Sequence, residues 1–109
     1  MKSIELFAGA GGLALGTSQA GFSHEAILEW NHDACQTIRA NKKSKFDHKK
    51  PVQVFEGDIR DFAFSSLGQL DLVSGGPPCQ PFSIGGKHRG PNDRRNMFAE
   101  AVRAVRETQ

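Results

Sequence analysis

Between a short apolar strand, Ile4-Glu5-Leu6-Phe7, and a helical run beginning at Leu13, the chain places five small residues, Ala8-Gly9-Ala10-Gly11-Gly12. Glycines here allow left-handed backbone and a close approach of main chain to a ligand, and a strand, a tight turn and a helix in that order open a βαβ unit. The stretch Gly9 to Ala14 satisfies the loose pattern G-x-G-x-x-G/A, and Glu29 follows Gly9 by twenty positions, at the end of the next strand. A carboxylate so placed can accept hydrogen bonds from both ribose hydroxyls of an adenosine.

The alternation continues along the chain. The helix over Leu13 to Ala20 is stopped by Gly21, and Glu25 to Trp30 forms a second strand. Asn31-His32-Asp33 supplies cap chemistry for a helix from Ala34 to Asn41, with Ala34, Cys35 and Ile38 on one face, which places Cys35 in the core. Val52 to Phe55 is a third strand ending at Glu56-Gly57-Asp58, and Leu70 to Val73 a fourth. A last helix spans Asn96 to Glu107, with Met97, Ala101, Val102 and Val105 at helical spacing. The basic run Lys42-Lys43-Ser44-Lys45 with His48-Lys49-Lys50 reads as a solvated connection. Strands alternating with helices predict an α/β fold of Rossmann-like layout, a doubly wound parallel sheet with right-handed crossovers. In the order 3-2-1-4, strands one and four lie side by side at the switch point, so the loops after Phe7 and Ser74 meet there.

With 109 residues, a net charge of +2 and 38% apolar composition, the chain is ordinary globular material of about one small domain. No stretch approaches the roughly 18 to 20 apolar residues of a membrane span, and Met1 to Glu5 enters a strand pattern at once, so a cytoplasmic protein without a signal peptide is expected. Cys35 and Cys79 sit in unlike contexts and are expected as free thiols. No Cys-x-x-Cys occurs and the histidines lack ligand spacing, so no metal is expected.

The most distinctive segment is Gly75-Gly76-Pro77-Pro78-Cys79-Gln80-Pro81-Phe82-Ser83. Two glycines let the backbone turn past the fourth strand, and prolines on both sides fix φ, so the Cys79 thiol is held in a stiff frame like a nucleophile. Most lone cysteines in intracellular proteins are simply small buried hydrophobes, and the surrounding frame is what argues otherwise here.

Pro77 to Ser83 resembles the nucleophile motif of DNA (cytosine-5) methyltransferases. Four further segments resemble that family in the same order: Phe7 to Leu13, Glu29-Trp30, Gly57-Asp58-Ile59, and Arg94 to Glu100. The glycine-rich pattern and Glu29 alone fit a nicotinamide dehydrogenase as well as a methyltransferase; the five ordered segments favour the methyltransferase. The resemblance implies S-adenosyl-L-methionine as cofactor, held by Phe7, Ala8, Gly9, Gly11, Gly12, Leu13, Glu29, Trp30, Asp58, Ile59, Pro78 and Met97. In that arrangement Asp58 accepts from the adenine amine, and Ile59 and Trp30 flank the ring. Read without the family, Asp58 caps the next segment and Trp30 fills core.

The resemblance further implies methyl transfer to C5 of cytosine in double-stranded DNA, through a covalent adduct of Cys79 at C6, within a bacterial restriction-modification system. Lys87, Arg89, Arg94 and Arg95 are candidates for lowering the thiol pKa. The target base swings out of the duplex, and Ile84 to Pro91 fits a loop closing over it, with Gln80, Ser83, Lys87 and Arg89 as DNA contacts. Transfer-RNA cytosine methyltransferases share much of the pattern, so RNA stays open as a substrate.

The family's Glu-Asn-Val and Gln-x-Arg-x-Arg segments do not occur in these 109 residues, nor does a target-recognition region. The expectation is the N-terminal portion of a single catalytic domain with an incomplete sheet, from a truncated gene or as one subunit of a split enzyme whose second polypeptide brings the rest. A cofactor-binding or partner-binding module inactive by itself is the alternative. Strand four, with Leu70, Leu72 and Val73, would then be an uncovered apolar edge.

Overall fold

The computed structural model describes residues 1–45, 52–77 and 97–109. Its elements run β1 (Lys2–Leu6), α1 (Gly12–Gln19), β2 (Ser23–Glu29), α2 (His32–Lys45), β3 (Gln53–Glu56), two 3₁₀ turns (Ile59–Asp61 and Phe64–Leu67), β4 (Leu72–Gly75) and α3 (Phe98–Glu107). The four strands form one parallel sheet in the order β3-β2-β1-β4, as the alternation predicts. The central strand β1 is buried at Ser3, Ile4, Glu5 and Leu6, on both faces, as a parallel strand between helical layers must be.

Each face of the sheet has its own core. On one, Ile4, Leu6, Ala26 and Leu28 meet Ile59, Phe62, Phe64 and Ala104 of the 3₁₀ segments and α3. Phe62 stands edge-on to Phe55 at 5.1 Å and tilted to Phe64 at 5.2 Å, in the offset geometries aromatic rings prefer. On the other, Ala8, Ala14, Ile27, Ile38 and Val52 pack between the sheet and α1 and α2. Burying each isoleucine, leucine or valine side chain contributes about 1.5–3 kcal/mol.

Local chemistry explains where the elements depart from the sequence reading. β1 stops at Leu6 because Phe7 turns to φ 53°, left-handed backbone that a bulky residue rarely adopts. The Asn31 Oδ1 accepts the Ala34 N–H at 2.9 Å, so Asn31 alone is the cap and α2 begins at His32. α2 also runs on through Lys42 to Lys45, which the sequence reading assigned to the connection; lysines are good helix formers and suit a helix C-terminus. The remaining part of that basic run, His48 to Lys50, lies outside the described residues.

β4 is shifted two residues later than predicted, taking in Ser74 and Gly75. Gly75 pairs with Leu6, and a Cβ there would sit 2.2 Å from the Leu6 carbonyl oxygen. The glycine thus continues the strand against β1 instead of beginning the turn. Along α3, Met97, Ala101 and Ala104 pack on the core, whereas Val102 and Val105 are exposed together with Phe98. Leu70, Leu72 and Val73 are half-buried, so the largest apolar exposure beside the open edge belongs to α3, not to the strand. No helix of the described residues is long and apolar enough to cross a membrane.

Candidate cofactor site

The carboxyl ends of β1, β2 and β3 open onto one cavity of about 330 Å³. Phe7 and Gly9 line it from the turn after β1, Leu28, Glu29 and Trp30 from the end of β2, Gly57, Asp58 and Ile59 from the segment after β3, and Gly76 and Met97 complete the lining. Five separate stretches of chain therefore converge where a doubly wound sheet places its ligands.

The turn after β1 is built from left-handed backbone at Phe7, at Gly9 (φ 57°) and at Gly11 (φ 100°), the last capping α1. The turn is held in place by β2. The Ala8 N–H donates to the Leu28 carbonyl at 3.0 Å and the Gly9 N–H to Glu29 Oε1 at 2.8 Å. Glu29 Oε2 accepts from Trp30 N–H at 3.1 Å and Asn31 N–H at 2.9 Å, so this carboxylate organises the rim as well as facing the cavity. Trp30 is 73% exposed, which rejects the reading of it as core filler. An indole left in water beside a cavity gains from stacking on a flat ligand.

Asp58 does what the plain reading expected and more. It is the cap of the first 3₁₀ turn, accepting from the Arg60 N–H at 2.9 Å, and it pairs with the Arg60 guanidinium at 2.5 Å while lining the cavity. Ile59 is 6% exposed and joins the core behind the wall. Met97 caps α3 and packs against the same core.

Of the residues the sequence reading assigned to a cofactor, Phe7, Gly9, Glu29, Trp30, Asp58, Ile59 and Met97 line this cavity. Ala8 is buried in the second core, Gly11 caps α1, Gly12 begins it, and Leu13 is 52% exposed on it; these four shape the turn rather than line the cavity. Leu28, Gly57 and Gly76 line it and were not assigned, although Leu28 and Gly57 directly adjoin assigned residues and Gly76 lies within the Cys79 segment. Pro78, Cys79, Gln80, Ser83, Lys87, Arg89, Arg94 and Arg95 lie outside the described residues. Cys35 is fully buried, its Sγ donates to the Glu29 carbonyl at 3.3 Å, and burial pushes its thiol pKa up. It is a core residue, not a nucleophile.

The cavity suits an adenosine-bearing cofactor: its lining combines a carboxylate at the end of β2, an exposed indole next to it in the chain, a second carboxylate after β3, and the apolar Phe7, Leu28, Ile59 and Met97. Comparison with known proteins narrows that class. The family model for C-5 cytosine-specific DNA methylase matches residues 1–109. The type II methyltransferase M.NgoMIV of Neisseria gonorrhoeae is 46% identical over 106 residues, which cover 97% of this chain and 32% of that protein. M.PspPI of a Psychrobacter strain is also 46% identical over 106 residues, covering 95% of this chain and 24% of that protein. The chain thus spans about a third or less of the length of these two relatives. A DNA modification methyltransferase encoded within an E. coli prophage superimposes with a TM-score of 0.71 at 27% identity, covering all of this chain and 29% of that one. The S. pombe Dnmt2 methyltransferase, at 19% identity and a TM-score of 0.67, shares the fold over 33% of its length.

Proposed function

The chain belongs to the C-5 cytosine-specific DNA methylase family, and from that premise we propose that it forms the cofactor-binding and nucleophile-bearing part of an enzyme that methylates C5 of cytosine in DNA within a restriction-modification system. Members of this family take their methyl group from S-adenosylmethionine. The observation that carries the proposal is the cavity at the strand ends, where Glu29, Trp30, Asp58, Ile59 and Met97 from three stretches of chain face one space. Glu29 would accept from a ribose hydroxyl and Asp58 from the adenine amine, with Trp30 and Ile59 on either side of the ring and Met97 closing the pocket. The cofactor brings a methyl group on a positively charged sulfur.

Cys79 is the proposed nucleophile. Its thiolate adds to C6 of the cytosine, which raises electron density at C5. After C5 is methylated, loss of the C5 proton and of the thiolate restores the aromatic ring. β4 leads toward that residue, and its register with β1, Leu6 opposite Gly75, brings the start of the Cys79 segment beside the cofactor turn. Gln80, Ser83, Lys87 and Arg89 are proposed to contact DNA, the basic pair through phosphates.

The relatives are about three times as long as the part matched here, or longer, so recognition of the target sequence and the remaining catalytic groups are proposed to come from further polypeptide, in this chain's continuation or a second subunit. Among the described residues β4 has a strand on one side only, and Phe98, Val102 and Val105 are exposed beside it. That apolar face is where the remaining domain is proposed to pack. A cytoplasmic location follows from work on chromosomal DNA in a bacterium.

Duplex DNA carrying 5-fluorocytosine, incubated with S-adenosylmethionine and the assembled enzyme, tests the reading. An adduct mapped to Cys79, absent in Cys79→Ser, supports it; methylation that survives Cys79→Ser refutes it.

A further inference from the structure

We propose that Arg103, on α3 and outside the cavity, is a positioning residue that sets the distance between two walls of the cofactor pocket. One wall is Asp58 and Ile59, at the first 3₁₀ turn; the other is Met97, which caps α3. They are remote in sequence and come from different elements.

Arg103 joins them from behind. Its Nη2 donates to the Ile59 carbonyl at 3.0 Å and its Nη1 to the Phe62 carbonyl at 3.1 Å, across more than forty residues of chain. These are the carbonyls that open and close the 3₁₀ turn following Asp58. The same guanidinium is fixed to its own helix: Nε donates to Glu100 Oε2 at 2.6 Å, and Nη1 lies 3.4 Å from both carboxylate oxygens of Glu107. Its carbon stands 4.5 Å from the centroid of the Phe64 ring, which is fully buried. A planar fork held by two carboxylates on one element, donating to two carbonyls on another and stacked on a ring, has little freedom. The turn bearing Asp58 and Ile59 is thereby fixed against the helix that Met97 caps. No part of Arg103 lines the cavity, so its effect on a ligand acts entirely through those walls.

This inference rests on the cofactor reading above, and it locates Arg103's influence in the adenosine end of the ligand, the part assigned to Asp58, Ile59 and Met97. Arg103→Met keeps an unbranched stem but removes every donor together with the guanidinium that stacks on Phe64. Arg103→Lys keeps the charge but replaces the fork with a point donor that reaches one carbonyl at a time.

The test is titration of the unaltered chain and both variants with S-adenosylmethionine and, separately, with adenosine. It follows the fluorescence of Trp30, the single tryptophan, well below each protein's melting midpoint. Expected is a loss of about tenfold in affinity for Arg103→Met, a typical effect of removing an outer support of a binding group, equal for both ligands, with Arg103→Lys between it and the parent. Equal affinities in parent and a folded Arg103→Met overturn the proposal. So does a loss markedly larger for S-adenosylmethionine than for adenosine, which signifies general loosening. Should Arg103→Met fail to fold, the same comparison with Arg103→Lys decides. If the unaltered chain binds neither ligand, it is the cofactor reading that fails.

Discussion

The carboxylate of Glu29 reaches back twenty residues to accept the Gly9 N–H at 2.8 Å, tying the end of β2 to the turn after β1. One side chain therefore has two duties. Its four lone-pair sites are shared among Gly9, Trp30 and Asn31, and a carboxylate so engaged can still accept from a ribose hydroxyl. Glu29→Ala should loosen the turn as well as remove a ligand contact. Hydrogen bonds to a charged group are worth about 1.5–3 kcal/mol, so affinity for S-adenosylmethionine should fall at least tenfold and the melting midpoint should drop. Glu29→Gln, retaining one carbonyl acceptor, should lose less of both. Calorimetric titration and thermal melts measure the two effects.

Trp30 offers the opposite separation. At 73% exposure it supports little of the fold, so Trp30→Ala should change stability by no more than about 0.5 kcal/mol. Its affinity for the cofactor should nevertheless fall severalfold, because the flat face beside the cavity is gone. Denaturant unfolding with binding measured in parallel checks this; a large stability loss without a binding loss would return Trp30 to a structural role.

Gly75→Ala should be severe. The added methyl group would stand 2.2 Å from the Leu6 carbonyl oxygen, main chain that cannot retreat without parting β1 from β4. A loss of about 3 kcal/mol or more is expected, read as a lowered denaturant midpoint.

The strand order and the partnership of the two switch-point loops were legible because both follow from element order and from the right-handed crossover. Glu29 was legible as a cavity residue from its place at the end of the second strand, whereas Trp30 and Met97 entered only through the family resemblance. Gly75 was misplaced because its role depends on a carbonyl of another strand, which no local pattern records. The 3₁₀ turns after β3 escaped notice because runs of three or four residues have no periodicity to detect. Val102 and Val105 repeat at helical spacing like core residues, yet α3 packs by Met97, Ala101 and Ala104 and leaves those valines beyond the sheet edge. Arg103 looked like any surface arginine, since its carbonyl partners lie more than forty residues away.

Glu5 gives the fold a pH dependence. It is buried at the centre of β1, burial pushes its carboxyl pKa up, and the Ser74 hydroxyl donated to it offsets part of the rise. The folded chain thus holds this proton more tightly than the unfolded one. Below the ordinary carboxylate pKa, about 4.3, both states are protonated; as pH rises from there through the raised value, stability is lost. Glu5→Gln, which stays neutral and can still accept from Ser74, should therefore gain stability relative to the parent as pH is raised from 4 to 8. Chemical denaturation across that range would show a difference that grows with pH; a difference that stays constant or shrinks would contradict the assignment.

The claim on which the rest depends is that the cavity between Glu29, Trp30, Asp58 and Met97 is built for S-adenosylmethionine. Titrating the chain with S-adenosylmethionine and with NADH, by calorimetry, tests it most directly. The account predicts saturable one-to-one binding of S-adenosylmethionine, weakened by Glu29→Ala and Trp30→Ala, with no measurable binding of NADH. Binding of NADH in place of S-adenosylmethionine, or S-adenosylmethionine binding that ignores both substitutions, would contradict it.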